Sequence, residues 1–140
     1  MVQTFAAQVK AFADLSKEKM DFVVKQSAED VFSIAQLPKQ NGGRLPKDLG
    51  NLQNSFVCAL NGSTSLSGAD AYVATIAGYD LGDSIFGGWT AAYALRMEYG
   101  FVGADRLGRV YSQAGNFYAL GAYQQWQRIV AMNAEKARAL

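Results

Sequence analysis

Apolar residues recur at helical spacing through the first quarter of the chain. Phe5, Val9 and Phe12 fall at i, i+4 and i+7, and Met20, Val24, Ala28, Val31 and Ala35 continue the same face. Between the two sets lies a polar interruption, Ser16-Lys17-Glu18-Lys19. It reads as a break, with Ser16 capping a long helix that runs to about Leu37 and Glu18 near its positive end. One unbroken helix from Phe5 is the alternative. Pro38 ends the pattern, because the residue before a proline avoids the α region.

Residues 38–49 form a long basic loop. They hold both prolines and the pair Gly42-Gly43, and Lys39, Arg44 and Lys47 stand there against the single acid Asp48. Such a segment cannot continue a helix and is poorly suited to a central strand.

From Asn51 to about Met97 the pattern reads as β, with strands expected over 54–60, 71–77, 84–86 and 89–97. In the second, Tyr72, Ala74 and Ile76 alternate with residues that are nearly as apolar, which predicts a central strand covered on both faces. Residues 78–83 and Gly87-Gly88 are read as hairpin turns. A helix across 89–96 is the alternative for the last strand. A loop over 100–108 then leads to a C-terminal helix from about Ser112 to Ala137, whose apolar face includes Phe117, Tyr118, Trp126 and Ile129. The expected fold is therefore α+β, an antiparallel sheet of about four strands packed by an N-terminal and a C-terminal helix.

Composition narrows the functional classes. At 140 residues the chain has room for one domain. A charged fraction of 18% is below the roughly 25% of ordinary soluble domains, which points to apolar surface covered by partners. A net charge of +1 lacks the basic excess of a dedicated nucleic-acid grip. With no histidine and one cysteine, Cys58, the chain can build no Ser/Cys–His catalytic pair and no ordinary zinc site. Cys58 is expected to be a buried small hydrophobe. Ser16 and Lys19 match a Ser-x-x-Lys spacing only superficially, in a charged and exposed stretch. Asp80 and Asp83, with Asp48 or Asp70 as possible neighbours, are read as turn chemistry beside glycine. Neither a secretion signal nor a membrane-spanning run is expected, and no enzyme activity, metal or cofactor.

Arg96 and Glu98 flank Met97 and would share one face of a strand. With Tyr93, Tyr99 and Phe101 they form the candidate subunit interface, since aromatics and arginine dominate protein contacts. Lys39, Arg44 and Lys47 are the candidate partner loop. The plain alternatives are a weak surface ion pair and ordinary core packing for Tyr93 and Trp89.

Three segments carry a resemblance. Pro46-Lys47-Asp48-Leu49-Gly50-Asn51-Leu52-Gln53-Asn54-Ser55 is the first. The second is Tyr93-Ala94 followed by Glu98-Tyr99-Gly100, preceded by Gly82-Asp83-Ser84-Ile85-Phe86-Gly87-Gly88-Trp89-Thr90-Ala91. The third is Gly115-Asn116-Phe117-Tyr118, running on to Gln124-Gln125-Trp126-Gln127-Arg128-Ile129-Val130. In this order they resemble a family of tail-component and neck proteins of tailed bacteriophages. Two local departures are Leu49 between Asp48 and Gly50, and no proline over 103–108.

The resemblance implies a structural virion protein made in the host cytoplasm. Its protomers would form a ring, commonly sixfold, at the head–tail junction. Its partners would be head-closure or adaptor proteins, the tail tube or tail terminator, and non-specifically the genomic DNA passing through the lumen, which the loop of Lys39, Arg44 and Lys47 would line unless it grips a neighbour. A tail terminator is the nearest alternative. From a different class, the alternative is a DNA-binding packaging accessory using Lys39, Arg44, Lys47, Arg106 and Arg109.

Overall fold

The computed structural model describes residues 4–47, 50–63, 65–104 and 106–140, and of Phe12 and Tyr111 the backbone alone. The architecture is α+β. A 31-residue helix α1 (Phe5–Ala35) opens the chain without interruption. The polar tetrad 16–19 breaks the apolar face but not the helix, because it contains neither glycine nor proline and lysine and glutamate are good helix formers. The cap is Thr4, whose Oγ1 accepts the Ala7 N–H at 3.1 Å.

The basic loop folds back on itself around a single-turn 3-10 segment, Lys39–Asn41. Lys39 and Leu45 exchange backbone contacts with the chain at 37–45, and Leu45 is fully buried as the anchor. A short helix α2 (Asn51–Asn54) leads into strand β1 (Phe56–Leu60). The two-residue strand β2 (Leu66–Ser67) pairs antiparallel with one edge of β1, and β3 (Ile85–Trp89) with the other.

Two expected strands and one expected turn are corrected. Residues 71–77 form helix α3 (Ala71–Ala77), not a strand. Ala71, Thr75 and Ile76 are its buried residues, a helical rather than an alternating set, and the Thr75 hydroxyl donates to Ala71 O one turn back at 3.0 Å. Where every position is small or apolar, periodicity does not decide. Gly87-Gly88 is not a turn but the middle of β3. A Cβ on Gly87 would lie 2.5 Å from the Phe32 ring and 2.9 Å from that of Phe56, so the glycine marks a close approach of two aromatics. After Trp89 the chain turns and enters helix α4 (Ala94–Tyr99), so the expected strand over 89–97 is replaced by a turn followed by helix.

The expected loop over 100–108 is a hairpin, β4 (Gly100–Ala104) pairing antiparallel with β5 (Val110–Ala114). The expected terminal helix is two, α5 (Tyr118–Tyr123) and α6 (Trp126–Arg138). The sheet of about four strands is thus a three-stranded sheet, β2-β1-β3, plus this separate hairpin.

The core has two lobes. Phe56, Cys58 and Ala71 gather Phe32, Tyr72 and Ile85 beneath the sheet; Leu45, Leu52, Ala94 and Tyr118 form the other. Trp89 belongs to both, edge-on to Phe56 at 5.2 Å and to Tyr118 at 4.8 Å. Its indole N–H donates to Gln36 Oε1 at 2.7 Å, while Gln36 Nε2 donates to Gln53 O at 3.0 Å and Ala69 O at 2.7 Å. One buried amide therefore ties the end of α1 to three later segments. Helix α6 packs back along the C-terminal half of α1, joined by Asn133 to Ser27 and Asp30.

Candidate functional site

The segments that carry the family resemblance meet in space. Leu52 from the first, Ala94 from the second and Tyr118 from the third lie in one buried cluster, closed by Trp89. Polar contacts fasten them. Tyr118 Oη donates to Ala94 O at 2.8 Å, and Asn116 N and Phe117 N donate to Met97 O and Glu98 O. Behind them Gly100 and Gly115 cross so closely that a Cβ on either would lie 2.5 Å from the other segment's backbone.

Glu98 is the centre of this lock, not a surface residue. It is 6% exposed, and its carboxylate accepts the N–H of Ala119 at 3.0 Å and of Leu120 at 2.8 Å. These are N–H groups of the first turn of α5, which has no side-chain cap of its own because Phe117 precedes it in the left-handed region at φ 54°. Glu98 thus does from another helix what a capping residue does locally. Burial first, then the negative charges of Glu98 and of ionised Tyr93, pushes the Tyr118 phenol up to about 12.

The expectation that Arg96 and Glu98 share one exposed strand face is corrected: on α4 they point apart. Arg96 turns outward and lays its guanidinium 4.0 Å from the centre of the Phe101 ring. Tyr93 and Tyr99 are exposed beside it, and Tyr99 meets Phe117 edge-on at 6.3 Å. Tyr93, Arg96, Met97, Phe101, Arg106 and Gln113 line a groove of about 490 Å³ between α4 and the hairpin, and no carboxylate among the described residues lines it. Three of the five candidate interface residues, Tyr93, Arg96 and Phe101, therefore line one groove, while Tyr99 is exposed against Phe117 and Glu98 is buried against α5.

Lys39, Arg44 and Lys47 are all exposed, and no ion pair engages them among the described residues. Arg44 runs its stem over α5, where a Cβ on Gly121 would meet its Cδ at 2.9 Å. The loop is held to the domain by Leu45, so its charges are presented from a fixed base. Asp48 lies outside the described residues.

The remaining candidates are structural. Asp83 accepts Asn61 Nδ2 at 2.8 Å and Asp80 N at 2.9 Å, which holds its carboxyl below the usual range, the Asn61 bond contributing most. This is the turn chemistry expected of the pair. No cluster of three metal-ligating side chains occurs among the described residues. Cys58 is fully buried, and desolvation raises its thiol although Thr75 and the Ala59 backbone oppose the shift. Ser16 and Lys19 lie one turn apart on α1, both half-buried, and Lys19 borders a shallow groove against α6.

Sequence reasoning missed the hairpin and its exposed apolar residues: Val102 and Leu107 are each 78% exposed and Val110 79%. The signal was present in Phe101-Val102 and Val110-Tyr111, two β-prone pairs flanking a glycine-containing link. The start of α1 and its cap are also exposed throughout residues 4–11, including Phe5 and Val9. Comparison of the chain with protein-family models, curated proteins and solved structures finds no match.

Proposed function

We propose that this chain is a structural protein of a tailed-bacteriophage virion, a protomer of an oligomeric ring at the head–tail junction through which DNA passes. The observation that carries the assembly reading is its surface. The accessible area is 9337 Å², against roughly 7,100 Å² for a compact folded chain of 15.1 kDa, an excess of about 2,200 Å². That excess is of the size that stable subunit contacts remove from solvent. It coincides with two elements that display apolar side chains, the hairpin and the start of α1. The convergence of the three resembling segments in one cluster supports the family reading, because it gives their joint occurrence a physical reason.

In this reading the domain works by shape. Glu98 and Trp89 fix α4 and α5, the fixed body holds out the hairpin and α1 as contact arms, and the Lys39–Arg44–Lys47 surface faces DNA or an adjoining ring. The test is a reconstruction of the virion with the chain located by mass spectrometry of the particles. A ring of this chain at the neck is expected. Absence from purified particles, or a position elsewhere in them, overturns the reading.

A further inference from the structure

Two strands of this fold present edges that the chain itself does not pair. β3 exchanges backbone hydrogen bonds with β1 on one side, and among the described residues none reaches Ile85–Trp89 on the other. β5 is likewise bonded to β4 alone, while α4 packs beside β4 and leaves β5 outermost. A strand edge is a row of backbone donors and acceptors, and folded proteins blunt it with charge, proline, a bulge or a cover. Neither of these edges is blunted. Both strands have five residues, hold no charge and no proline, and keep an unbroken register with their neighbour.

The side chains agree with the backbone. Phe86, on the face of β3 opposite the close approach of Gly87 to Phe32, is 60% exposed. Val110 at the start of β5 is exposed, and so are Ser112, Gln113 and Ala114. A two-stranded hairpin alone is marginal in water and gains from a third strand. The edge left open by β3 matches it in length, about 16 Å. The chain thus carries both halves of one contact, in two separate sheets. The surface excess of about 2,200 Å² is enough for a stable contact between copies, and the hairpin is one of the places where it lies.

We infer that β5 of one copy of this chain adds to the free edge of β3 of a second copy. The result is a five-stranded sheet, β2-β1-β3-β5-β4, continuous across the two subunits. Backbone bonds supply the adhesion, and the lack of charge on either strand removes the usual obstacle to it. The contact joins different surfaces of the two copies, so it repeats around a ring or along a filament. It rests on the ring reading, which requires a second copy, and names the edges that the copies would share.

The test is sedimentation of the purified full chain over a concentration series, with two edge-blocked variants. Phe86→Lys blocks β3 and Val110→Lys blocks β5. Both side chains lie largely in solvent, so each variant is expected to keep the wild-type circular dichroism spectrum. Each alone is expected to associate about tenfold or more weakly than wild type. Mixed, they are expected to form a one-to-one dimer and nothing larger, because one intact β3 meets one intact β5 and both outer ends are blocked. Association of either variant alone at wild-type strength overturns the contact in favour of a symmetrical pairing or another surface. A folded mixture that stays monomeric overturns it as well. Should a lysine disturb the fold, hydrogen exchange on the wild-type chain decides. Amides of 85–89 and of 110–114 are both expected to slow on assembly, and assembly that leaves either segment unprotected overturns the pairing. A wild-type chain that stays monomeric overturns the contact outright, whereas its place in the virion is decided independently by the reconstruction.

Discussion

Replacing Glu98 by alanine is the sharpest test of how this fold is held together. The carboxylate accepts two backbone N–H groups from the first turn of α5, at 2.8 and 3.0 Å, in a position almost closed to water. Hydrogen bonds to a charged group contribute about 1.5–3 kcal/mol each, and the donors they leave behind are only part-exposed. The two bonds share one side chain and are not fully additive, so Glu98→Ala is expected to cost about 3–5 kcal/mol. Glu98→Gln keeps one acceptor but turns an amide donor toward the second N–H, and is expected to cost about 1.5–3 kcal/mol. Urea unfolding read by tryptophan fluorescence measures both, since Trp89 lies against Tyr118 in the same cluster. In a thermal scan the alanine variant should melt on the order of 10 °C lower for a chain of this length. The contrasting reading, an exposed Arg96–Glu98 pair, predicts at most about 1 kcal/mol. A Glu98→Ala variant within about 0.5 kcal/mol of wild type refutes the capping argument.

Four further outcomes follow from the same geometry. Gln36→Leu strands the Trp89 indole N–H and the carbonyls of Gln53 and Ala69, and should lower the unfolding free energy by about 2–4 kcal/mol in the same urea assay. Gly87→Ala drives a methyl into Phe32 and Phe56 and should cost about 1–3 kcal/mol, a neutral result showing that the two rings can part. The Tyr118 phenol, raised from 10.0 to about 12, holds its proton more tightly in the folded than in the unfolded chain. Its contribution to stability is therefore complete below pH of about 10 and lost as pH rises through about 12; a spectrophotometric tyrosinate titration should show late-titrating phenols, Tyr72 also being raised by burial, and Tyr118→Phe should remove the part near 12. Reversing Lys39, Arg44 and Lys47 to glutamate should leave the melting temperature nearly unchanged, because all three are exposed, but reduce the yield of infectious particles; a normal yield removes the loop from the mechanism.

The sequence was most legible where one physical signal stood alone. Pro38 stops α1 within a turn of its end, and the chain from 54 to 60 becomes β1 as expected. It was least legible where two patterns overlapped. Residues 71–77 are apolar at nearly every position, so alternation and helical periodicity fit equally, and three alanines decide for helix. Gly87-Gly88 carries the mark of a turn, yet the glycines are there because Phe32, some 55 residues earlier in the chain, needs the space. Glu98 shows the same limit for the candidate site. Its spacing from Arg96 is local information, whereas its partners, Ala119 and Leu120, are more than 20 residues away and appear only when the chain is folded. That Tyr93, Arg96 and Phe101 gather around one groove was likewise invisible, because it depends on α4 and the hairpin folding together.

The crossing of Gly100 and Gly115 has a consequence at longer range. It is the root from which the hairpin leaves the body, and a Cβ at either position has no room without moving the opposing backbone. The five-residue strands of the hairpin are about 16 Å long, so a tilt of 10° at the root displaces its tip by on the order of 3 Å. In the proposed ring that tilt would be repeated at every copy and become curvature and pitch. Gly100 and Gly115 would then control whether successive copies return to the first as a closed ring or climb past it as an open helix.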